Sequence, residues 1–350
     1  REVVARRQAL CVKTNSQTNK EHALRTKLGG TVLDEVKECI TLPQFDAEAA
    51  RHESHPEDIV LGTAVESELR DYVATVAMMY RENPFHNFEH ASHVTMSVVK
   101  LLSRIVAPSD INVHETGNKK GSTRALFVAS TLHDHTYGIM SDPLTQFACI
   151  FSALIHDVDH VGVPNTQLIK ENASIAALYE GKSVAEQNSV DLAWDLLMDE
   201  RYQNLRHTIY DSDAEFKRFR QLIVNSVMVT DIMDKDLKTL RNSRWEKAFN
   251  EEPGDNLEEA VNRKATIVIE HLIQASDVSH TMQHWHIYRK WNARLFGELY
   301  KAYVEGRAET DPSEFWYKGE IGFFDFYIIP LAKKLKDCGV FGVSSYEYLN

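Results

Sequence analysis

Apolar residues recur at three- and four-residue spacing through one long segment of this chain after another, and almost nowhere do they alternate. The stretches 61–81, 92–106, 144–155, 184–198, 214–229, 260–275, 285–305 and 321–336 all carry this stripe. That period gathers apolar side chains on one face of an α-helix, whereas a half-buried strand requires strict alternation. Helices patterned this way must bury their stripes against one another, so the fold class is all-α, a compact multi-helix domain. The chain has 350 residues, 43% of them hydrophobic, enough to build a large core. Residues 1–60 are polar, are broken at Gly29-Gly30, and read as an N-terminal linker or lead-in segment. Residues 61–350 read as one domain, with the Asn-, Gly- and Lys-rich stretch 107–122 as a mobile loop.

Charge and composition exclude several classes of partner. A net charge of −12 argues against a nucleic-acid surface, which needs clustered Lys and Arg. It does not exclude a small anionic substrate, because bound cations reverse the sign inside a pocket. No apolar run reaches the roughly 18 residues of a membrane span, and no secretory signal opens the chain. The four cysteines, Cys11, Cys39, Cys149 and Cys338, are far apart and form no C-x-x-C pair, which suits a reducing, cytoplasmic setting. A chain that begins with Arg1 reads as part of a longer protein with upstream regulatory or membrane domains.

The sixteen histidines keep informative company. His86-Asn87-Phe88-Glu89-His90 sets two imidazoles four residues apart, hence on one helical face. An apolar helix ends in His156-Asp157-Val158-Asp159-His160, and a later one ends in Ala275-Ser276-Asp277. Imidazole with carboxylate suits zinc, manganese or iron, while carboxylate with water suits magnesium. Adjacent His and Asp at a buried helix end are costly unless something pairs with them. His133-Asp134-His135 repeats the pair, but Thr136, Tyr137 and Gly138 follow, so it reads as a surface loop.

In this order the segments resemble the catalytic domain of the class I cyclic-nucleotide phosphodiesterases, within the wider His-Asp (HD) superfamily. That family carries H-N-x-x-H, then H-D-x-x-H-x-G-x-x-N, then a later Asp; here these stand as His86 to His90, His156 to His160 with Gly162 and Asn165, and Asp277. The likeness runs from about residue 61 to 336. It implies hydrolysis of a 3′,5′-cyclic nucleotide to the 5′-monophosphate at a metal-centred pocket. It assigns His90, His156, Asp157 and Asp277 to a zinc ion, and Asp157 also to a second cation, magnesium or manganese. His160, Asp159 and Glu186 match positions that orient metal-bound water, and His86 matches the general acid. Glu270, His271 and Asp231 are candidate carboxylate or imidazole partners for His86.

The resemblance also implies a purine pocket. The family's S-Q-x-G-F stands here as Gly319-Glu320-Ile321-Gly322-Phe323, so Phe323 matches the ring-stacking residue, Leu295 the aliphatic jaw opposite, and Tyr288 and Trp291 further pocket positions. Trp291 reads equally well as helix-packing core. Glu320 departs from the pattern, since a carboxylate only accepts hydrogen bonds whereas an amide also donates. Guanine presents two adjacent donors and adenine a donor beside a lone pair, so Glu320 points toward cGMP over cAMP. Gln187-Asn188-Ser189 and Ser279-His280 depart from the common Asn-His-His and Ser-Asn. Two rival readings remain at this level. One is a superfamily phosphohydrolase acting on ordinary nucleotides; the other is a domain that binds cyclic nucleotide without cleaving it.

If His86 is the acid, His86→Ala should retain metal yet lose about 100-fold or more in turnover. Metal analysis together with steady-state kinetics checks this, and undiminished turnover would remove His86 from the role.

Overall fold

The computed structural model describes residues 1–11, 30–105, 121–251 and 256–341. Most of the stretch read as a mobile loop lies outside the described residues. The chain folds as α1 (Glu2–Cys11), α2 (Ala47–His52), α3 (Thr63–Met79), α4 (Phe88–Ser103), α5 (Gly121–His135), α6 (Pro143–Ile155), α7 (Asn165–Glu171) and α8 (Ala173–Leu178). It continues as α9 (Val184–Met198), α10 (Gln203–Ile209), α11 (Asp213–Met228), α12 (Lys235–Trp245), α13 (Leu257–Asp277), α14 (Trp285–Val304), α15 (Trp316–Phe323) and α16 (Ile329–Asp337). A π turn, Phe324–Ile328, joins the last two. Among the described residues there is no strand, so the all-α class holds.

Helix α6 sits at the centre because its sequence is apolar nearly all round: Leu144, Ala148, Cys149, Phe151, Ala153 and Ile155 are all buried. It packs against α4 and α11, and α13 packs across α4 and α11. Pro143 starts α6 where a missing N–H costs nothing. In α13 every residue from Ala265 to Ser276 is buried, so its charged side chains need internal partners. Arg244, fully buried on α12, supplies one by bonding Glu270 and the Lys37 carbonyl.

The described part of residues 1–60, read as a linker, is packed structure. Arg7 on α1 donates to the carbonyls of Thr208 and Ile209 at the end of α10. Residues 30–42 form an irregular strap whose Val32, Ile40 and Leu42 enter the core. Lacking a regular ladder, its backbone groups are satisfied by side chains. Leu33 N–H donates to Gln187, Ile40 N–H to Thr266 and Leu42 N–H to Asn262. Buried Glu35 accepts two hydrogen bonds from Arg220, at 2.8 and 2.7 Å.

His133-Asp134-His135 is the last turn of α5 rather than a loop. His133 is buried against Phe45 and its Nδ1 lies 2.5 Å from the Ser141 hydroxyl. Local Thr-Tyr-Gly chemistry suggested a turn there, and the turn does come, one residue after the pair.

Removing one partner of a buried ion pair strands the other, typically at a cost of 3–5 kcal/mol. Arg244→Ala should therefore destabilise the fold by roughly 3 kcal/mol or more, and adding Glu270→Leu should recover part of the loss. Urea unfolding of both variants checks this; equal losses would show the pair to be uncoupled.

Candidate active site

Three helix ends meet at one place. His90 lies in the first turn of α4, which Asn87 caps by accepting the His90 N–H at 3.1 Å. His156 and Asp157 follow the last residue of α6, and Asp277 is the last residue of α13. His90 Nε2 lies 3.0 Å from Asp277 Oδ1 and 3.7 Å from Asp157 Oδ2. His156 Nε2 lies 3.1 Å from Asp157 Oδ2 and 3.5 Å from Asp277 Oδ1. Both imidazoles are 1% exposed, while the carboxylates keep 14% and 25% open to the cleft.

The hydrogen bonding of His156 shows what this arrangement lacks. Its Nδ1 is 2.9 Å from the Ala153 carbonyl, which can only accept, so Nδ1 carries the proton. In the neutral ring Nε2 is then a bare lone pair facing two carboxylate oxygens, and it is a buried atom without a hydrogen-bond partner. Two helix C-termini add partial negative charge at the same spot. A cation among His90, His156, Asp157 and Asp277 offsets all of these repulsions. Without one, burial opposes a charge on His156, yet Asp157 and Asp277 overcome it and hold the ring's pKa well above its usual value. The donor set of two imidazoles and two carboxylates fits zinc.

A second group of acids adjoins. Asn165 starts α7 and donates to Glu186 at 2.9 Å and to buried Asp231 at 3.3 Å. Burial first, and then Asp231, push Glu186 up to about 8. Crowded carboxylates beside Asp157 suit a hard cation such as magnesium. Gly162 takes a left-handed φ of 75° beside Asn83 and Glu298, where a Cβ would lie 3.1 Å from the Asn83 side chain. Asp159, expected to orient metal-bound water, accepts from Arg81 at 2.7 Å and from Asn188 at 3.3 Å. Its backbone takes a positive φ of 62°. Asp231 thus belongs with Glu186, while Glu270 is held by Arg244, and neither is the partner of His86.

That partner is Glu298, a residue the sequence reading missed. Glu298 Oε1 lies 2.5 Å from His86 Nδ1, and Oε2 accepts the backbone N–H groups of Phe85 and His86, each at 2.9 Å. Burial works against a charge on His86, but Glu298 outweighs it and raises its pKa to about 9. Glu298 falls to about 2, the His86 charge and two backbone donors overcoming burial. His160 stacks on His86 with ring centroids 3.9 Å apart, and burial followed by the His86 charge lowers it to about 4. A signal was present: along α14 Trp291, Glu298 and Ala302 share the buried face, so Glu298 is a carboxylate in an apolar stripe.

The residues expected around a base are distributed differently. Trp291 is 3% exposed and packs on Phe85, His90 and His93, with the Arg294 guanidinium 4.8 Å from its ring. It forms a wall behind His90, in the helix-packing core. Phe323 lies against Tyr327, centroids 5.3 Å apart, and half-buried Leu295 sits on α14 one turn before Glu298. Glu320 accepts hydrogen bonds from Tyr288 and Asn292.

Comparison with known proteins accords with this layout. Residues 85–340 match the family model described as 3′5′-cyclic nucleotide phosphodiesterase. The chain belongs to that family. This phosphodiesterase domain is 27% identical over 286 residues to the dual specificity calcium/calmodulin-dependent 3′,5′-cyclic nucleotide phosphodiesterase 1C of Homo sapiens, covering 77% of this chain and 34% of the relative. It is 26% identical over 282 residues to the probable 3′,5′-cyclic-AMP phosphodiesterase pde-4 of Caenorhabditis elegans, covering 78% and 37%. The chain thus spans about a third of these curated relatives. Its fold matches the crystal structure of the phosphodiesterase domain of the Salpingoeca rosetta rhodopsin phosphodiesterase, with a TM-score of 0.57, 24% identity, and 79% and 77% of the two chains covered.

The departures from the family pattern have structural work. Gln187 is fully buried and ties the strap to the α8–α9 turn through Leu33, Tyr179 and Lys182. Ser189 donates to the Val158 carbonyl at 2.8 Å.

His86 is raised from 6.5, so its pairing stabilises the fold fully below 6.5 and that contribution is lost as pH rises through about 9. Glu298 is lowered from 4.5, so its share is present above 4.5 and is lost as pH falls toward about 2. In metal-free phosphodiesterase domain, Glu298→Gln should lower the His86 titration midpoint by about one unit or more. Nitrogen-detected imidazole NMR reads this directly, and an unmoved midpoint would show that Glu298 does not hold the charge.

Proposed function

We propose that this domain hydrolyses the 3′,5′-cyclic phosphodiester of a purine nucleotide. Water adds to phosphorus, the bond to the 3′-oxygen breaks, and that oxygen leaves with a proton from His86. The single observation that carries the reading is the Glu298 clamp on His86. With Nδ1 held by a carboxylate, the ring can carry its second proton on Nε2, the atom free to face a leaving group. The His86 ring lies 6.0 Å from that of His90, so the proton is presented beside the four convergent ligands. An alkoxide leaves poorly unless protonated, and a positioned acid supplies roughly 100- to 10,000-fold.

His90, His156, Asp157 and Asp277 would hold zinc, and Asp157 with the Glu186–Asp231 side would serve magnesium or manganese. Two divalent cations held there would supply Lewis acidity toward the phosphate and would lower the pKa of bound water. His160 packs on His86 and keeps its neutral ring beside the charged one. Phe323 and Leu295 would flank the purine, with Glu320 and Tyr288 at its edge. Glu320 favours guanine, whose N1–H and amino group are adjacent donors, over adenine, whose ring nitrogen would face a carboxylate. The substrate is an intracellular messenger and Cys39, Cys149 and Cys338 are free, so we place the domain in the cytoplasm. Among the described residues no helix is long and apolar enough to cross a membrane. Since the relatives are about three times longer, we place it beside further regulatory domains.

The test is incubation with cGMP, cAMP and non-cyclic nucleotides, with and without chelator, following the 5′-monophosphate. Chelator-sensitive release from the cyclic substrates, fastest for cGMP, is expected. Cleavage of only non-cyclic nucleotides would assign the domain to another branch of the superfamily. Saturable binding without product would make it a sensor.

A further inference from the structure

The bend that carries His86 is fastened to the loop after α6 by one half-buried side chain, Asn83. Its Nδ2 donates to the His86 carbonyl at 3.0 Å and to the His160 carbonyl at 2.7 Å. Carbonyls only accept, so the amide nitrogen and not its oxygen must face them, and both of its hydrogens are used. The backbone of Asn83 is fixed in its turn. Pro84 follows and disfavours a helical conformation there. The Asn83 N–H donates to the Arg81 carbonyl at 2.9 Å, and its carbonyl accepts from Asn87 Nδ2 at 2.7 Å.

Room for this amide comes from Gly162, where a Cβ would lie 3.1 Å from Asn83 Oδ1 and 3.5 Å from Glu298 Cγ. Beyond His160 the bonding continues, since its N–H donates to the Asp157 carbonyl at 3.0 Å. Three hydrogen bonds therefore lead from the backbone of His86 to that of Asp157. The His86 and His160 rings stack beside this path, centroids 3.9 Å apart. Glu298, on α14, sets the charge of the His86 ring and holds its Nδ1. Asn83 sets how far that ring stands from the loop after α6.

We infer that Asn83 is a positioning residue for proton delivery, its amide bridging the His86 and His160 carbonyls to hold the acid in register with the Asp157 side of the site. The inference rests on the reading of His86 as the acid. A misplacement of about 1 Å in a reacting geometry costs on the order of 100-fold in rate. Asn83 bonds backbone rather than substrate, so its loss should fall on kcat and leave KM nearly alone.

The experiment compares the wild-type domain with Asn83→Asp, which keeps the side chain's size but, ionised, has no hydrogen to give, and with Asn83→Ala. In both variants kcat should fall by about 10- to 100-fold, by the same factor for cGMP and cAMP, with KM within about twofold of wild type. Bound metal should be unchanged. In carbon-edited NMR the imidazole C–H signals of His86 and His160, assigned with His86→Ala and His160→Ala, should both move toward unstacked positions. A merely structural role would lower the melting temperature and leave those signals in place. Retained kcat in both variants overturns the inference, as does a loss carried by KM. A fall in kcat that follows metal content or melting temperature, with the ring signals unmoved, overturns it too. A wild type that cleaves no cyclic nucleotide sinks the hydrolase reading and this inference with it, whereas an active wild type with unaffected variants sinks this inference only.

Discussion

The active site is arranged around a crowding of negative charge and lone pairs that a bound cation or an added proton must offset. The His156 lone pair, the Asp157 and Asp277 carboxylates and the negative ends of α6 and α13 meet in a site where both imidazoles are buried. Burial raises the cost of each uncompensated charge, because little solvent is left to screen it. A helical bundle can hold such a site only when the surrounding packing is strong enough to force these groups together. Helix α6, apolar on nearly every side, provides that packing, and it delivers its histidine and aspartate where the apolar run stops.

The same logic extends outward in steps of decreasing burial. His86 sits outside the cluster and gains its own carboxylate, Glu298, which also accepts two backbone N–H groups and so fixes the loop before α4. Farther out, α14 and α15 exchange hydrogen bonds through Asn292, Glu320 and Trp316. One helix, α14, therefore supplies the wall behind His90, the clamp on His86 and the support for Glu320. A shift of α14 would disturb all three together, because one rigid element carries them.

The residues that depart from the family pattern show that such positions are not idle. Gln187 secures an irregular strap that has no ladder of its own, and Asn188 donates to Asp159, which also pairs with Arg81. The strap and α1 then become part of the domain, pinned by Arg220, Arg244 and Arg7.

The helical class, the span of the main helices and the ordered His and Asp motifs were legible in the sequence because each rests on local spacing. The His-x-x-x-His spacing marked His86 and His90 together, although His86 stands in the bend before α4 and not on its face, and an apolar run ending in His-Asp signals a costly terminus wherever it occurs. Partners distant in the chain were not legible. Glu298 for His86, Arg81 for Asp159 and Arg244 for Glu270 are chosen by which helix faces meet. The packing of residues 30–42 was hidden likewise, since composition marks a segment as polar but not where its few apolar side chains will land. Spacing along a chain determines faces; only the crossing of helices decides which faces touch, and thus which charges must be neutralised together.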